Sequence, residues 1–186
     1  MNSEHFHAQH WRRHPRLTAA LAAVEEVDRA CVRWLVAHRR ESLNRLFILG
    51  SHSGKMGIPW LGLLLVLRAS SPQGQRITIP RALVTTVGSW AVAHFVKRAD
   101  HRLRPCQDGD APPLITCPKS SSLPSDEAAC AFAAAVYAAT ALPHLRAQLY
   151  LGAAFTAASR VYVGAHYPTD VTAGALLGAA IARTVT

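Results

Sequence analysis

Apolar residues gather in five blocks separated by polar punctuation: residues 56–67, 82–96, 128–142, 147–158 and 171–182. The blocks are rich in Ala, Leu, Val and Gly, a composition suited to helices that pack through small residues. No block alone reaches the roughly 18–20 residues of a membrane span. Each can extend by a turn or two into flanking mixed sequence, and a helix whose polar end lines a site need not be apolar throughout. Ahead of them, residues 17–39 place Leu17, Leu21, Val24, Val27, Cys31, Trp34 and Leu35 near helical spacing. Glu25, Glu26, Asp28, Arg29 and Arg33 interrupt that stretch too often for a span, so it reads as an amphipathic helix lying at an interface.

The connections are equally legible. Residues 69–81 carry Ser-Ser-Pro and Gly and read as a loop. Residues 105–124 form the longest polar stretch and hold Pro105, Gly109, Pro112, Pro113, Pro118 and Pro124; a loop of this length is usually functional. Pro143 separates the third and fourth blocks, and Tyr167-Pro168 the fourth and fifth. The predicted organisation is a polar tail over 1–16 and one domain over 17–186, divided into an interfacial helix region (17–45) and a membrane bundle (46–186). The predicted class is all-α, an integral-membrane helical bundle with an N-terminal interfacial helix and about five transmembrane helices. The competing reading is a soluble all-α bundle with buried helices.

Composition narrows the function. The chain has 186 residues, enough for one domain with a sizeable core. Mean hydropathy of +0.12 is high for a soluble domain and low for a simple lipid-facing bundle. The formal net charge of +9 implies an anionic partner: nucleic acid, acidic lipid or a phosphorylated substrate. Nucleic acid is disfavoured, because no zinc-ligand spacing, stacking-aromatic pattern or basic recognition helix appears. The tail has no apolar signal core, and its His5, His7, His10 and His14 read as solvated. None of the four cysteines forms a C-x-x-C pair. Cys106 and Cys117 flank the long polar stretch and could close a small loop in an oxidising compartment, while Cys31 and Cys130 read as packing residues.

Counting the blocks as alternating spans brings Lys97, Arg104, Ser125, Arg160, His166 and Asp170 to one membrane face. Three cations held together call for a shared anion, and phosphate matches guanidinium forks and an ammonium. Ser125 opens a helix, whose N-terminal N–H groups add a further anion site. Asp170 follows His166 by four residues across a short turn, so the carboxylate can hold the imidazole in one tautomer and stabilise its cation. Such an imidazole can attack phosphorus directly. No cofactor or metal is called for, since no carboxylate cluster suggests one.

These residues fall in the pattern Lys97-x6-Arg104-Pro105, then Pro124-Ser125-Asp126-Glu127, then Ser159-Arg160-x5-His166-x3-Asp170. The pattern resembles the type 2 phosphatidic acid phosphatase family, whose signature is K-x6-RP, PSGH and SR-x5-H-x3-D. The resemblance runs over roughly residues 20–184. It implies a helical fold, a phosphohistidine intermediate at His166 without metal, phosphate binding by Lys97, Arg104, Ser125, Asp126 and Arg160, and an orienting Asp170. The second element departs from the signature: Asp126 stands for Gly, and Glu127 for the His that protonates the leaving group. An Asp at that place resembles the bacitracin-resistance-type undecaprenyl-diphosphate phosphatases, as do the short form and the interfacial helix.

Three readings of Glu127 stay open. It is a substitute acid, or the acid matters little because a phosphate leaving group departs unaided, or it suits the first helical turn and marks a slow, degenerate site. The expected function is hydrolysis of a lipid phosphate or polyprenyl diphosphate in a membrane. Phosphatidic acid, phosphatidylglycerol phosphate or a prenyl-phosphosugar phosphate are alternative substrates, and a non-catalytic lipid-phosphate binder is the alternative class. Vanadate haloperoxidases share the site architecture but are soluble and much larger. The expected location is the plasma membrane. The Arg-rich N-terminal region argues for a cytoplasmic site, but Cys106 and Cys117 argue for an extracytoplasmic one, which is the expectation adopted. Gly50 to Lys55 imitates a P-loop with the wrong glycine spacing and reads as packing or loop; His94 reads as a polar packing residue, and Gly174, Gly178 and Ala179 as helix-packing positions.

Overall fold

The computed structural model describes residues 15–186. The tail histidines therefore lie outside the described residues, as does any signal segment. Every regular element among the described residues is helical. The α-helices are α1 (Pro15–Ala37), α2 (Glu41–His52), α3 (Ile58–Ser70), α4 (Ile79–Leu83), α5 (Ser89–Lys97), the short α6 (Pro105–Asp108), α7 (Asp126–Ala141), α8 (Arg146–Tyr162) and α9 (Pro168–Val185), with short 3-10 turns between some of them. A π-helical turn over Val84–Gly88 joins α4 to α5, so residues 79–97 run as one continuous helix. The buried Cys130 thiol donates to the Thr86 carbonyl at 3.3 Å, beside that turn. The five apolar blocks of the sequence are thus α3, α4 with α5, α7, α8 and α9. The all-helical expectation holds. Among the described residues, no helix is long and apolar enough by itself to cross a membrane.

The bundle is built around α7, which packs against α9, α8, α5 and α3. Its alanines from Ala128 to Ala141 are almost all buried, because a helix surrounded by others needs small side chains on every face. On α9, Gly174 and Gly178 lie against the Ser125 and Ala129 carbonyls, where a side chain would collide. Trp60, Leu64, Ile77, Tyr137, Leu142 and Leu149 supply the larger side chains of the core. Many other large apolar side chains face outward, among them Ile58, Val66, Val92, Phe95, Leu151 and Leu176.

One helix was not expected, and another docks through an unexpected set of contacts. A separate helix, α2, packs on α8 and was not anticipated; Gly50 allows the approach, lying against Phe155 and Ser159. In α1, the apolar stripe is exposed at Leu21, Val24, Val27 and Trp34, and the buried positions are Asp28 and Val32. The polar face docks because it meets charge: Arg29 pairs with Asp108 at 2.6 Å and Arg33 with Asp110 at 3.3 Å. The outward stripe suits an interfacial helix.

Candidate active site

The turn between α8 and α9 sets the geometry of the site. Gly164 adopts φ of 80°, a left-handed conformation that ends α8 without Cβ strain. The chain then folds back, and the N–H groups of Ala165 and His166 both donate to the Arg160 carbonyl, at 3.0 and 3.2 Å. Arg160 and His166 are thereby fixed side by side. Pro168 opens α9 at a position where no N–H is needed, and Asp170 accepts the Tyr167 N–H at 2.8 Å. Opposite this turn, Ser125 caps α7, its hydroxyl accepting the Ala128 N–H at 3.3 Å. Ser125 N–H donates to the Asp170 carbonyl at 2.9 Å and ties the two helix starts together.

His166 is fully buried. Arg104 Nη1 donates to its Nε2 at 2.9 Å and to the Ala165 carbonyl at the same distance. A guanidinium only donates, so Nε2 accepts and the ring proton is assigned to Nδ1. Asp170 Oδ2 lies 3.5 Å from Nδ1, longer than an ordinary hydrogen bond, and Nδ1 has no nearer partner. Asp170 is itself held from all sides: Ser122 donates to Oδ2 at 2.5 Å, and Arg102 Nη1 to Oδ1 at 2.7 Å.

The cations do not stand free. Lys97 Nζ pairs with Asp126 at 2.6 Å, and Arg160 Nη2 with Glu127 at 2.9 Å. Glu127 presents its second oxygen to His166 Nε2 at 3.5 Å and to the Ser125 hydroxyl at 3.4 Å. The expectation of three cations awaiting one anion is corrected here, because both acidic departures from the signature turn inward and supply countercharge. Asp126, assigned to phosphate binding from the sequence, has the Lys97 ammonium as its partner. Arg104 is anchored by the Ser120 and Ser121 carbonyls at 2.9 and 3.1 Å. Burial lowers its proton affinity from the ordinary arginine value, with Glu127 acting in the opposite sense. Burial likewise pushes the Tyr167 hydroxyl up, aided by its hydrogen bond to Asp110.

A cleft of about 270 Å³ reaches Glu127 and Arg160 between Ser51, His52 and Lys55 on one side and Ile115, Thr116 and Pro118 on the other. A second, of about 420 Å³, reaches Lys97 and Ser120 past His94, Arg98 and Lys119. His94 stacks on Trp90 at its wall, with ring centroids 5.2 Å apart. Cys106 and Cys117 are joined by a disulfide that braces the loop between the clefts. Asp126, Glu127 and His166 bring possible metal-ligand atoms within 4.8 Å of one another, a cluster not expected from the sequence. Lys97, Arg160 and Arg104 already satisfy these three groups, and a divalent cation among them would face three positive charges.

All eight site residues anticipated from the sequence, Lys97, Arg104, Ser125, Asp126, Glu127, Arg160, His166 and Asp170, thus gather around one buried imidazole. The sequence reading missed the supporting layer. Ser51 accepts Arg160 Nη1 at 2.6 Å from within the stretch dismissed as a false P-loop. Ser122 and Arg102 hold Asp170, and Asp28 of α1 holds Arg102 at 2.6 Å.

Known proteins share this architecture. A transmembrane PAP2-type phosphatidylglycerolphosphate phosphatase from Bacillus subtilis superimposes with a TM-score of 0.69 at 26% identity, over 88% of this chain and 84% of that one. LpxE from Aquifex aeolicus superimposes with a TM-score of 0.70 at 24% identity, over 83% and 92% of the two chains, a likeness of fold. By sequence, the decaprenylphosphoryl-5-phosphoribose phosphatase of Mycobacterium tuberculosis is 36% identical over 140 residues, which are 73% of this chain and 74% of that protein. The family model of the PAP2 superfamily matches residues 79–186, which carry the whole constellation around His166. With that match and a relative so similar along most of its length, the chain belongs to the PAP2 superfamily.

Proposed function

We propose that this PAP2-type lipid phosphatase cleaves a phosphate ester through a phosphohistidine at His166. The observation that carries the reading is the Arg104–Nε2 hydrogen bond, which assigns the ring proton to the Asp170 side and leaves the Nε2 lone pair facing the cations. Nε2 attacks phosphorus, a P–N bond forms, and the bond to the leaving oxygen breaks. Asp170 stabilises the imidazolium that results. Arg104, Arg160 and Lys97 meet the charge on the phosphoryl oxygens, with the first N–H groups of α7 beside them. Water then attacks phosphorus, the P–N bond breaks, and inorganic phosphate leaves as His166 recovers its lone pair. For the phosphoryl group to reach Arg160, Glu127 must yield its place.

The substrate reading follows the 36% identical relative: a polyprenyl-phosphoryl sugar carrying a terminal phosphate monoester. A prenyl diphosphate is the second reading, favoured by the absence of a histidine at position 127, since a phosphate leaving group needs little protonation. The bundle is proposed to lie in a membrane as the single domain 17–186, with α1 at the interface. Outward Leu, Val, Ile and Phe side chains support that placement, and residues 79–97 and α9 extend about 27–28 Å, close to the roughly 30 Å hydrocarbon core. The disulfide supports an extracytoplasmic site.

The deciding experiment offers purified enzyme a prenyl-phosphoryl-ribose 5-phosphate and farnesyl diphosphate in parallel. Wild type releases phosphate and His166→Ala does not; phosphate release that survives the substitution sinks the nucleophile assignment. A base-stable, acid-labile phosphoenzyme is trapped in wild type alone.

A further inference from the structure

Asp28 is an anomaly in its helix. It lies on α1, outside the span matched by the family, and is only 2% exposed although α1 runs along the surface. A carboxylate is rarely buried without partners that hold it. Those partners lead to the nucleophile. Asp28 Oδ2 accepts Arg102 Nη2 at 2.6 Å, and Oδ1 accepts the Thr169 N–H at 3.1 Å. The Thr169 hydroxyl donates to Asp28 as well and accepts Arg102 Nη1 at 2.7 Å. Arg102 Nη1 also reaches Asp170 Oδ1 at 2.7 Å, and the guanidinium lies 4.6 Å from the centre of the Tyr167 ring. Asp170 presents its other oxygen to His166. One unbroken file of alternating charge therefore runs from α1 to the imidazole.

We propose that Asp28 and Arg102 are positioning residues that couple the docking of α1 to the orientation and charge of the Asp170–His166 pair, an inference that rests on His166 as the nucleophile. Arg102 pins Oδ1 of Asp170 and so aims Oδ2 at Nδ1. Left alone, Arg102 would also draw most of Asp170's negative charge to itself. Asp28 divides that pull, so Asp170 keeps charge for the imidazolium that forms on phosphoryl transfer. Burial opposes the charge on Arg102, but Asp170 and Asp28 together hold its proton affinity above the ordinary value. The family signature contains neither residue: Arg102 is within its unspecified x6 interval, and Asp28 lies upstream of its first element. The apolar stripe of α1 points away from this file, so a helix seated at an interface is wired to the reaction centre through its opposite face.

The test compares Asp28→Asn, Arg102→Met and Arg102→Lys with wild type, using purified protein in one detergent and one substrate. Asp28→Asn and Arg102→Met each lower kcat by about 10–100-fold, as loss of a partner to an orienting group does elsewhere, with KM within about 2-fold. The pH profiles carry the distinction. Removing the negative charge at Asp28 disfavours the imidazolium, so the acidic limb of kcat/KM moves to lower pH. Removing the positive charge at Arg102 moves it to higher pH, each shift being on the order of half a unit. Glu127 and Arg104 face Nε2 in every variant, so they do not produce opposite shifts. Arg102→Lys keeps the charge and recovers part of kcat. The double variant Asp28→Asn/Asp170→Asn is no slower than Asp170→Asn alone, because both act through one residue.

A lowered melting temperature with unchanged limbs, or limbs that move the same way, overturns the coupling and leaves Asp28 as a docking contact. If Asp28→Asn does not fold, the two Arg102 variants decide the matter by the same criterion. His166→Ala run alongside separates the claims: with that variant dead and the limbs unmoved, only the coupling fails; with that variant active, both fail.

Discussion

Glu127 Oε1 lies 2.9 Å from Arg160 Nη2, so the carboxylate holds the guanidinium that the proposed reaction needs for a phosphoryl oxygen. So paired, Glu127 is an internal competitor of the substrate and has no proton to give. Of the three roles left open by the sequence, this geometry favours a site that works without a histidine-like acid.

Replacing Glu127 by Gln therefore strengthens anion binding. Two unit charges about 4–5 Å apart interact by about 3–4 kcal/mol at an effective dielectric of 20, and solvent at the cleft mouth screens part of that. The expected outcome is a fall of about 10-fold in both KM and the inhibition constant of orthovanadate, equivalent to about 1.4 kcal/mol. Unchanged vanadate inhibition in Glu127→Gln would show that Glu127 does not compete with the anion, and weaker inhibition that it helps to hold it.

A missing acid also shows in the leaving group. Across a series of aryl phosphates, kcat/KM of the wild type climbs steeply as the leaving phenol becomes more acidic. Glu127→His flattens the slope and raises the rate for the poorest leaving groups by about 10²-fold or more, the scale of general-acid catalysis. A shallow slope in the wild type instead makes Glu127 the acid.

The eight site residues and the helices bearing them were legible in the sequence because both follow from local rules. His166 and Asp170 are four residues apart across a short turn, Ser125 is a cap, and counting the apolar blocks placed Lys97, Arg104 and Arg160 at one end. Ser51, Ser122, Arg102 and Asp28 were not legible, since their partners lie 48 to 109 residues away along the chain. The docking face of α1 was not legible for a related reason. Its apolar positions follow helical period, but the opposite face docks through Asp28, Arg29 and Arg33, whose partners periodicity does not reveal.

The α7–α9 seam offers a stability test remote from the reacting groups. A side chain at Gly178 meets the Ala129 carbonyl, backbone in the central helix that cannot swing aside. Gly178→Val is expected to cost about 2 kcal/mol and to lower Tm by about 4–8 °C. Gly62 on α3 has open space around it, and Gly62→Ala leaves Tm unchanged or raises it slightly. Equal effects at the two positions would show that the close approach is not what Gly178 provides.

The Cys106–Cys117 disulfide links α6, which follows Arg104 directly, to the strand of loop leading to Ser120 and Ser121. Those serines hold the Arg104 guanidinium, and Gln107 reinforces the loop through the Pro118 carbonyl at 2.9 Å. Opening the bridge by Cys106→Ser with Cys117→Ser frees a loop whose closure is worth about 3 kcal/mol in the chain-entropy account. Arg104 keeps its partners but loses their fixed placement. The expected result is a lower Tm together with a kcat loss of about 10-fold, because a phosphoryl clamp displaced by even an ångström stabilises the transition state poorly. Dithiothreitol reproduces the loss in wild type and has no effect on the double variant. In intact cells, a membrane-impermeant maleimide labels Cys106 and Cys117 only after reduction if the site faces the oxidising exterior. Labelling of intact cells without reductant shows the two thiols free on the exterior and the bridge dispensable to turnover, whereas labelling only after the cells are opened places the clamp on the cytoplasmic side.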